Sequence, residues 1–185
     1  MRTARLPAPR SARPTMRKLF HVSALTRRHR ALHLAAMLFW SVIATWTIYA
    51  FILQAPIIVG ESMSPTLLAG ERKLLWLFHY RFREPERGEI VAIRLPQDDD
   101  LIVKRIVALP NEAVHIHDGA VFVNDKLLPE PYLPPKLETA PGPLDNHRYR
   151  IAPDCYFVLG DNRPDSIDSR YFGAVQKSWI VGKIL

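Results

Sequence analysis

The stretch Leu101-Ile102-Val103-Lys104-Arg105-Ile106-Val107-Ala108-Leu109 decides the fold class of this 185-residue chain. It is rich in β-branched and other apolar residues, and Pro110-Asn111 ends it, which is typical of a β-strand. Residues 88–95 have the same composition and lie between two prolines. Because residues 97–100 are a short polar connection between the two stretches, the pattern predicts a hairpin.

Further short strands are predicted around this hairpin. Residues 113–117 and 120–124 flank Asp118-Gly119, and Asp-Gly between alternating apolar runs is a strong signal for a β-hairpin. The proline-rich residues 129–149 predict an extended surface segment. Together these signals predict a mostly β protein, a small antiparallel β-barrel or sandwich. Its remaining strands are predicted at 57–59, 155–159 and 179–185.

The positive charge of the chain is concentrated at its N-terminus. Residues 1–30 hold nine Arg or Lys and no Asp or Glu, whereas the whole chain has a net charge of +7. The remainder is therefore close to neutral, which argues against a nucleic-acid-binding protein. We predict that residues 1–30 form a disordered, basic cytoplasmic tail.

An uncharged apolar segment, residues 31–53, follows the tail. Its 23 residues are enough for a helix to cross a hydrocarbon core of about 30 Å. A cleaved signal peptide would have a shorter apolar region and a small-x-small site, which residues 53–57 do not provide. We therefore predict a retained transmembrane helix over 31–53. The basic residues before it predict that residues 54–185 form an extracytoplasmic β-rich domain.

Ser62 lies in a segment that can hold a serine out toward a substrate. Gly60 allows a positive φ or a close backbone approach, and Pro65 stiffens the other side. A serine held in this way can act as a nucleophile, although the same pattern also occurs in ordinary turns.

Lys104 interrupts the apolar strand. Strand alternation places it on the same face as Ile102 and Ile106, so we expect desolvation to lower its pKa. A neutral lysine amine can accept a proton from a serine hydroxyl. The alternative is a lysine whose stem packs on apolar surface while its ammonium stays in water.

Residues 160–170, Gly-Asp-Asn-Arg-Pro-Asp-Ser-Ile-Asp-Ser-Arg, form a dense polar cluster directly after an apolar run. Such a cluster is unsuited to a hydrophobic core, and it is well suited to present polar side chains at a functional site. Within it, Ser166 is a candidate to orient the Lys104 amine by a hydrogen bond. Asp168 and Arg170 are candidates for an ion pair that braces the loop.

Taken together and in this order, these segments resemble the motifs of type I signal peptidase, the membrane-bound Ser–Lys leader peptidase of the S26 class. The matching segments are 62–66, 87–91, 103–110 and 160–170, with further similarity at 118–119, 121–124 and 130–132. One such motif is a moderate signal, whereas four in order are very specific.

The resemblance implies Ser62 as the nucleophile and Lys104 as the general base. It also implies small apolar substrate pockets lined by residues such as Ile58, Met63 and Val103. The substrate is then expected to bind as an added extended strand.

The resemblance also implies supporting roles for four residues of the polar cluster. Ser166 is implied to position Lys104, and Asp168 with Arg170 to form a supporting ion pair. Gly160 is implied to keep the site wall open beside Lys104.

The function implied is that of a membrane-anchored serine endopeptidase that removes N-terminal signal peptides, cutting after small residues. Its expected partners are the signal peptides of exported preproteins and membrane lipid, without nucleic acid. We expect no cofactor and no metal, because His115 and His117 share a strand face without further ligands nearby in sequence. The expected location is the bacterial inner membrane, as a single-pass protein with its N-terminus in the cytoplasm.

Two alternatives stay open. The Arg-rich start also fits a processing peptidase of the same family in the mitochondrial or another organellar inner membrane. A non-catalytic β binding domain tethered to a membrane is the other, and the joint presence of Ser62, Lys104 and Ser166 argues against it.

The chain departs from the family pattern in two ways. Some members have a hydroxyl two residues before the nucleophile, where it helps to bind the oxyanion, and this chain has Gly60 there. The part between Arg94 and Gly160 is short, which implies a compact member without a large second β-domain.

Overall fold

The computed structural model describes residues 16–97, 100–143 and 148–185. Residues 1–15 of the predicted tail and residues 98–99 of the predicted hairpin loop lie outside the described residues.

A single long helix, α1, runs over Met16–Ile52. Within it, Arg28–Tyr49 is a 22-residue stretch long and apolar enough to cross a membrane, with a mean hydropathy of 1.6. The helix begins inside the segment expected to be disordered, because no Pro or Gly interrupts residues 16–30. Leu53, expected to end the span, instead begins the first strand.

Eleven strands are found in the described residues. In chain order they are β1 (Leu53–Gln54), β2 (Leu75–Trp76), β3 (Ile90–Arg94), β4 (Leu101–Ala108), β5 (Ala113–His117), β6 (Ala120–Val123), β7 (Lys126–Leu127), β8 (Tyr149–Arg150), β9 (Cys155–Leu159), β10 (Val175–Gln176) and β11 (Ile180–Ile184). A one-turn helix, α2, covers Ser169–Phe172, and 3-10 turns cover His79–Arg81, Arg163–Asp165 and Lys177–Trp179.

The strands form two antiparallel sheets. The larger sheet has the order β1-β2-β11-β3-β4-β9-β10, and the smaller has the order β7-β6-β5-β8. Neither sheet closes into a barrel within the described residues, so the sandwich-like form of the predicted mostly β fold is the one observed.

Both predicted hairpins are present. Strand β3 pairs with β4, which places Val91 opposite Lys104. Strand β5 pairs with β6 through Asp118 (φ 48°) and Gly119 (φ 73°). Two successive positive φ angles are what a tight two-residue hairpin turn requires, and this explains the Asp-Gly pair.

A shared hydrophobic core joins the two sheets. Val107 of β4 and Phe157 of β9 pack in one buried cluster with Val114 of β5 and Val121 of β6. A second cluster includes Ile58, Met63 and other apolar residues: Leu67, Leu75, Ala92 and Ile184. The second cluster fixes the segment around Ser62 to the larger sheet, because its members are almost fully removed from water.

Two predicted segments differ from the structure. Residues 57–59 form only an isolated bridge, between Ile57 and Arg72, because the chain turns at Gly60 with a φ of 84°. The proline-rich residues 129–149 do not lie wholly on the surface, since Thr139 is 1% exposed. Their C-terminal end also contributes to β8.

Candidate active site

Ser62 lies in a tight turn whose neighbours are anchored in the core. The Ser64 N–H donates to Glu61 O at 2.9 Å, and the Leu67 N–H donates to Met63 O at 2.9 Å. Met63 is 1% exposed, whereas Ser62 itself is only half-buried. The backbone on one side of Ser62 is thus held firmly, and its hydroxyl remains within reach of a substrate.

Lys104 projects from the middle of β4 toward this turn. Its Nζ donates a hydrogen bond to Ser62 Oγ at 2.6 Å, although 42 residues separate the two. The lysine is 4% exposed. Burial is the main reason that the pKa of Lys104 falls to about 8; Asp168 and Asp161 oppose this shift, and Arg170 adds to it.

A lysine of this kind can work as a base near neutral pH. Lowering its pKa toward the working pH raises the fraction of neutral amine. A neutral amine has a lone pair for the proton of Ser62 Oγ, and the short distance between the two atoms satisfies the geometry of a nucleophile with its base.

Gly160, at the end of β9, lies against the turn that carries Ser62. A Cβ placed on it would be 2.2 Å from Ser166 Oγ and 2.4 Å from Ser62 O. The next residues also bind this turn. The Asn162 N–H donates to Ser62 O at 3.0 Å, and its Nδ2 donates to Glu61 O at 3.2 Å. Only glycine fits this approach, and its role is therefore to let two loops meet.

Ser166 is brought to the site but does not make the expected hydrogen bond to Lys104. It is 4% exposed, and its Oγ has no hydrogen-bond partner in the described part of the chain. The hydroxyl instead lies next to the Cα of Gly160.

Asp168 and Arg170 form a two-pronged ion pair in the interior. Arg170 Nε and Nη2 each donate to the Asp168 carboxylate at 2.8 Å. The same carboxylate accepts from the Gly160 N–H at 3.0 Å. Arg170 Nη2 also donates to Arg163 O at 2.7 Å, so the pair fixes both ends of the polar cluster.

A small cavity of about 70 Å³ adjoins Ser62. Ile58, Met63 and Val103, the three residues expected to line a substrate pocket, all line it. The rest of its wall is also mainly apolar: Pro56, Ile57, Val59, Ala92 and Leu101.

Asp161 is a supporting residue that the sequence reasoning missed. It is fully buried, and its carboxylate accepts from Arg105 Nε at 2.9 Å and from Arg105 Nη2 at 2.6 Å. It also accepts a hydrogen bond from Thr66 Oγ1. Asp161 therefore ties the segment of Ser62 to the strand of Lys104. The sequence signal was its place beside Gly160, together with the arginine that follows Lys104.

Arg163 is a second missed residue. It is 1% exposed and pairs with Glu130, and it also donates to Thr139 Oγ1. The available signal was Glu130 in the Glu-Pro-Tyr sequence at 130–132, because a carboxylate that becomes buried needs a cationic partner.

Among residues 16–97, 100–143 and 148–185, no group of three or more His, Cys, Asp or Glu side chains is placed to hold a metal ion.

The known proteins to which this chain is similar are described as signal peptidases. The sequence model of the family described as "Signal peptidase, peptidase S26" matches residues 31–185. A probable signal peptidase I-2 of Synechocystis is 37% identical over 160 residues, covering 82% of this chain and 70% of the relative. Signal peptidase I of Bacillus caldolyticus is 34% identical, covering 79% of this chain and 85% of the relative.

A solved structure is also similar. A crystal structure of a signal peptidase I from Enterococcus faecalis is 31% identical, with a TM-score of 0.49, and the match covers 56% of this chain and 98% of the other.

Proposed function

This chain belongs to the signal peptidase family, peptidase S26, and we propose that its removal of signal peptides proceeds through Ser62 as nucleophile and Lys104 as general base. The observation that carries this proposal is the 2.6 Å hydrogen bond between Lys104 Nζ and Ser62 Oγ. Its chemical support is the burial of the lysine, which favours the neutral amine.

The reaction begins with attack on the scissile carbonyl. Neutral Lys104 takes the proton of the Ser62 hydroxyl while Ser62 Oγ bonds to the carbonyl carbon. The Lys104 ammonium then gives this proton to the leaving amine as the peptide bond breaks, which leaves the signal peptide as an ester of Ser62. A water molecule that transfers its proton to Lys104 hydrolyses the ester and restores the hydroxyl.

The oxyanion that forms during attack needs a donor. The Ser62 N–H makes no backbone hydrogen bond in the described part of the chain, so it is available for this role. Gly60 supplies no side-chain hydroxyl at the position where some family members have one. The Ser62 N–H therefore carries more of the oxyanion stabilisation in this chain than in family members that have this hydroxyl.

Strand β4 offers a place for an extended substrate. It pairs with β3 from Leu101 to Arg105, but its pairing with β9 begins only at Arg105. The opposite edge of residues 101–104 therefore has no strand partner among the described residues. A substrate that adds as a strand there would place a small side chain in the cavity beside Ser62.

We propose that α1 anchors the enzyme in the bacterial inner membrane, with the β-rich part on the extracytoplasmic side. The apolar stretch Arg28–Tyr49 supports the anchor, and the nine basic residues among residues 1–30 support a cytoplasmic N-terminus. The bacterial sources of the relatives support a bacterial membrane over an organellar one.

Cleavage of a purified preprotein by the full-length chain in detergent tests the dyad. Ser62→Ala removes the nucleophile and Lys104→Ala removes the base, so we expect each to lower the rate by at least about 10⁴-fold, as when members of comparable triads are lost. Product bands on a gel over time give the rate.

The matched control is Ser64→Ala, which deletes a hydroxyl two residues away in the same turn. This variant should cleave at close to the parental rate. Undiminished cleavage by Ser62→Ala or Lys104→Ala, in protein with the parental circular dichroism spectrum, would overturn the proposal.

A further inference from the structure

Three buried arginines connect two segments that are far apart in sequence. We call residues 130–142 the strap and residues 160–170 the site loop. Arg163 and Arg170 belong to the site loop, and Arg105 of β4 binds it through Asp161. Each of the three contacts the strap, and they are 8%, 1% and 2% exposed: Arg105, Arg163 and Arg170. Guanidinium groups this deeply buried depend on their partners, because an unpaired charge in the interior is costly.

Arg163 is held mainly by Glu130 of the strap. Its Nη1 donates to Glu130 Oε2 at 3.2 Å, and its Nη2 donates to Glu130 Oε1. Its Nε donates to Gly160 O at 3.0 Å. Gly160 in turn touches Ser62 O, so one line of contacts runs from Glu130 to the nucleophile.

Arg105 follows the same pattern with Tyr132 of the strap. The Tyr132 ring lies over the guanidinium, 4.0 Å from its central carbon, while Asp161 binds the guanidinium through both carboxylate oxygens. The Tyr132 hydroxyl donates to Glu130 Oε1 at 2.8 Å, which joins the two contacts of the strap. Because Arg105 adjoins Lys104 in β4, a second line of contacts reaches the base.

Arg170 is enclosed by the C-terminal part of the strap. Its Nη1 donates to Ala140 O at 3.2 Å. A Cβ on Gly142 would be 2.4 Å from the Arg170 Cβ and 2.5 Å from its carbonyl oxygen, so the strap backbone passes directly against it.

We propose that Glu130 and Tyr132 are positioning residues for the Ser62–Lys104 pair, acting through Arg163 and Arg105. This inference rests on the proposed function. Neither residue contacts the cavity beside Ser62, so each acts on the alignment of the reacting groups and not on substrate binding. The strap therefore helps to hold the geometry of the active site and is more than a surface connection.

The test is preprotein cleavage by the full-length chain carrying Glu130→Gln, Tyr132→Leu or Tyr132→Phe. Glu130→Gln and Tyr132→Leu remove the carboxylate charge and the aromatic face, and we expect kcat to fall about tenfold to a hundredfold, as for a misplacement of about 1 Å. KM should be unchanged because the cavity is untouched. Tyr132→Phe keeps the ring over Arg105 and should retain most of the parental kcat.

A pH–rate profile separates positioning from simple loss of folded protein. If the site loop loosens, water reaches Lys104 and its pKa moves back toward the ordinary lysine value. The acid limb of kcat/KM should therefore shift to higher pH in Glu130→Gln and Tyr132→Leu. A lower folded fraction reduces the rate without moving this limb.

The control is Glu112→Gln, which breaks the ion pair with Arg87 (2.6 Å), outside the strap and the site loop. It should leave kcat and the acid limb as in the parent. Parental kcat and pH profile in both Glu130→Gln and Tyr132→Leu, or equal losses in the control, would overturn the role of the strap. Activity retained by Ser62→Ala would instead overturn the proposed function.

Discussion

A lysine ammonium group in water has a pKa of about 10.4. In this chain the buried position of Lys104 in β4 lowers its pKa to about 8. The nearby Asp168 carboxylate opposes the shift but does not cancel it. The surroundings of Lys104 thus bring its pKa into the range that suits a base at near-neutral pH.

The pH dependence of cleavage follows from this pKa. Lys104 is active when neutral, so kcat/KM should rise about tenfold per pH unit below pH 8 and level off above it. Cleavage of a preprotein measured from pH 5 to pH 10 gives the profile.

Lys104→Arg is the matched variant, because it keeps a cation and removes the base. A guanidinium does not release its proton in this range, so the variant should be inactive at every pH. A flat parental profile, or an active arginine variant, would contradict a lysine base.

The sequence pattern predicted some of these residues better than others. Ser62 and Lys104 stood out because each was unusual in its own segment, a serine between turn formers and a charge in an apolar strand. Arg163 did not stand out, because charged residues in polar segments are usually solvated. Its burial depends on its pairing with Glu130 of another segment, which no local pattern records.

The end of β9 contacts the turn that carries Ser62. Gly160 lies where any side chain would meet Ser62 O at 2.4 Å. Gly160→Ala should therefore push the two loops apart, and we expect a loss of kcat of about a hundredfold or more. Cleavage assays on protein whose fold is checked by circular dichroism measure this loss.

A second substitution gives this prediction its control. Adding Ser166→Gly to Gly160→Ala removes the clash with the Ser166 hydroxyl but leaves the clash with the Ser62 carbonyl. The double variant should stay impaired, because backbone cannot move aside as a side chain can. Full recovery would show that Gly160 makes room only for Ser166.

Local sequence signals predicted the strands and hairpins that local chemistry determines. The hairpins at 90–108 and 113–123 follow from apolar runs and, in the second, an Asp-Gly turn. The strand predicted at 57–59 is absent because its backbone hydrogen bonds go to a neighbouring turn instead. There the Ile58 N–H donates to Glu71 O, and Ile58 O accepts from Gly70.

The apolar helix α1 is the feature whose proposed role as an anchor concerns the whole molecule. We consider the substitutions Leu38→Lys and Val42→Lys, which place two charges in the apolar stretch. Near the helix centre, each lysine should raise the free energy of membrane insertion by roughly 2.5–3.5 kcal/mol. We expect the parental chain to be inserted with its β-rich part open to protease added outside the cytoplasmic membrane. In the double variant this part should be protected.

Leu127→Lys is the control for the added charge, since Leu127 is already 61% exposed in β7. Its protease pattern should match that of the parent. Protection of the β-rich part in the parental chain, or equal exposure in the double variant, would contradict the proposed anchor and orientation.

The order in which the chain is made has a consequence for when the enzyme becomes active. Ser62 and Lys104 belong to the first 104 residues, but the contacts that brace them come from residues 160–170, near the C-terminus. A ribosome adds these residues after Ser62 and Lys104, and contacts so distant in sequence form only after the intervening chain is available. A nascent chain that lacks residues 160–170 therefore lacks contacts that hold the turn of Ser62 and the strand of Lys104 in place. We expect the peptidase site to form only after this segment has been made.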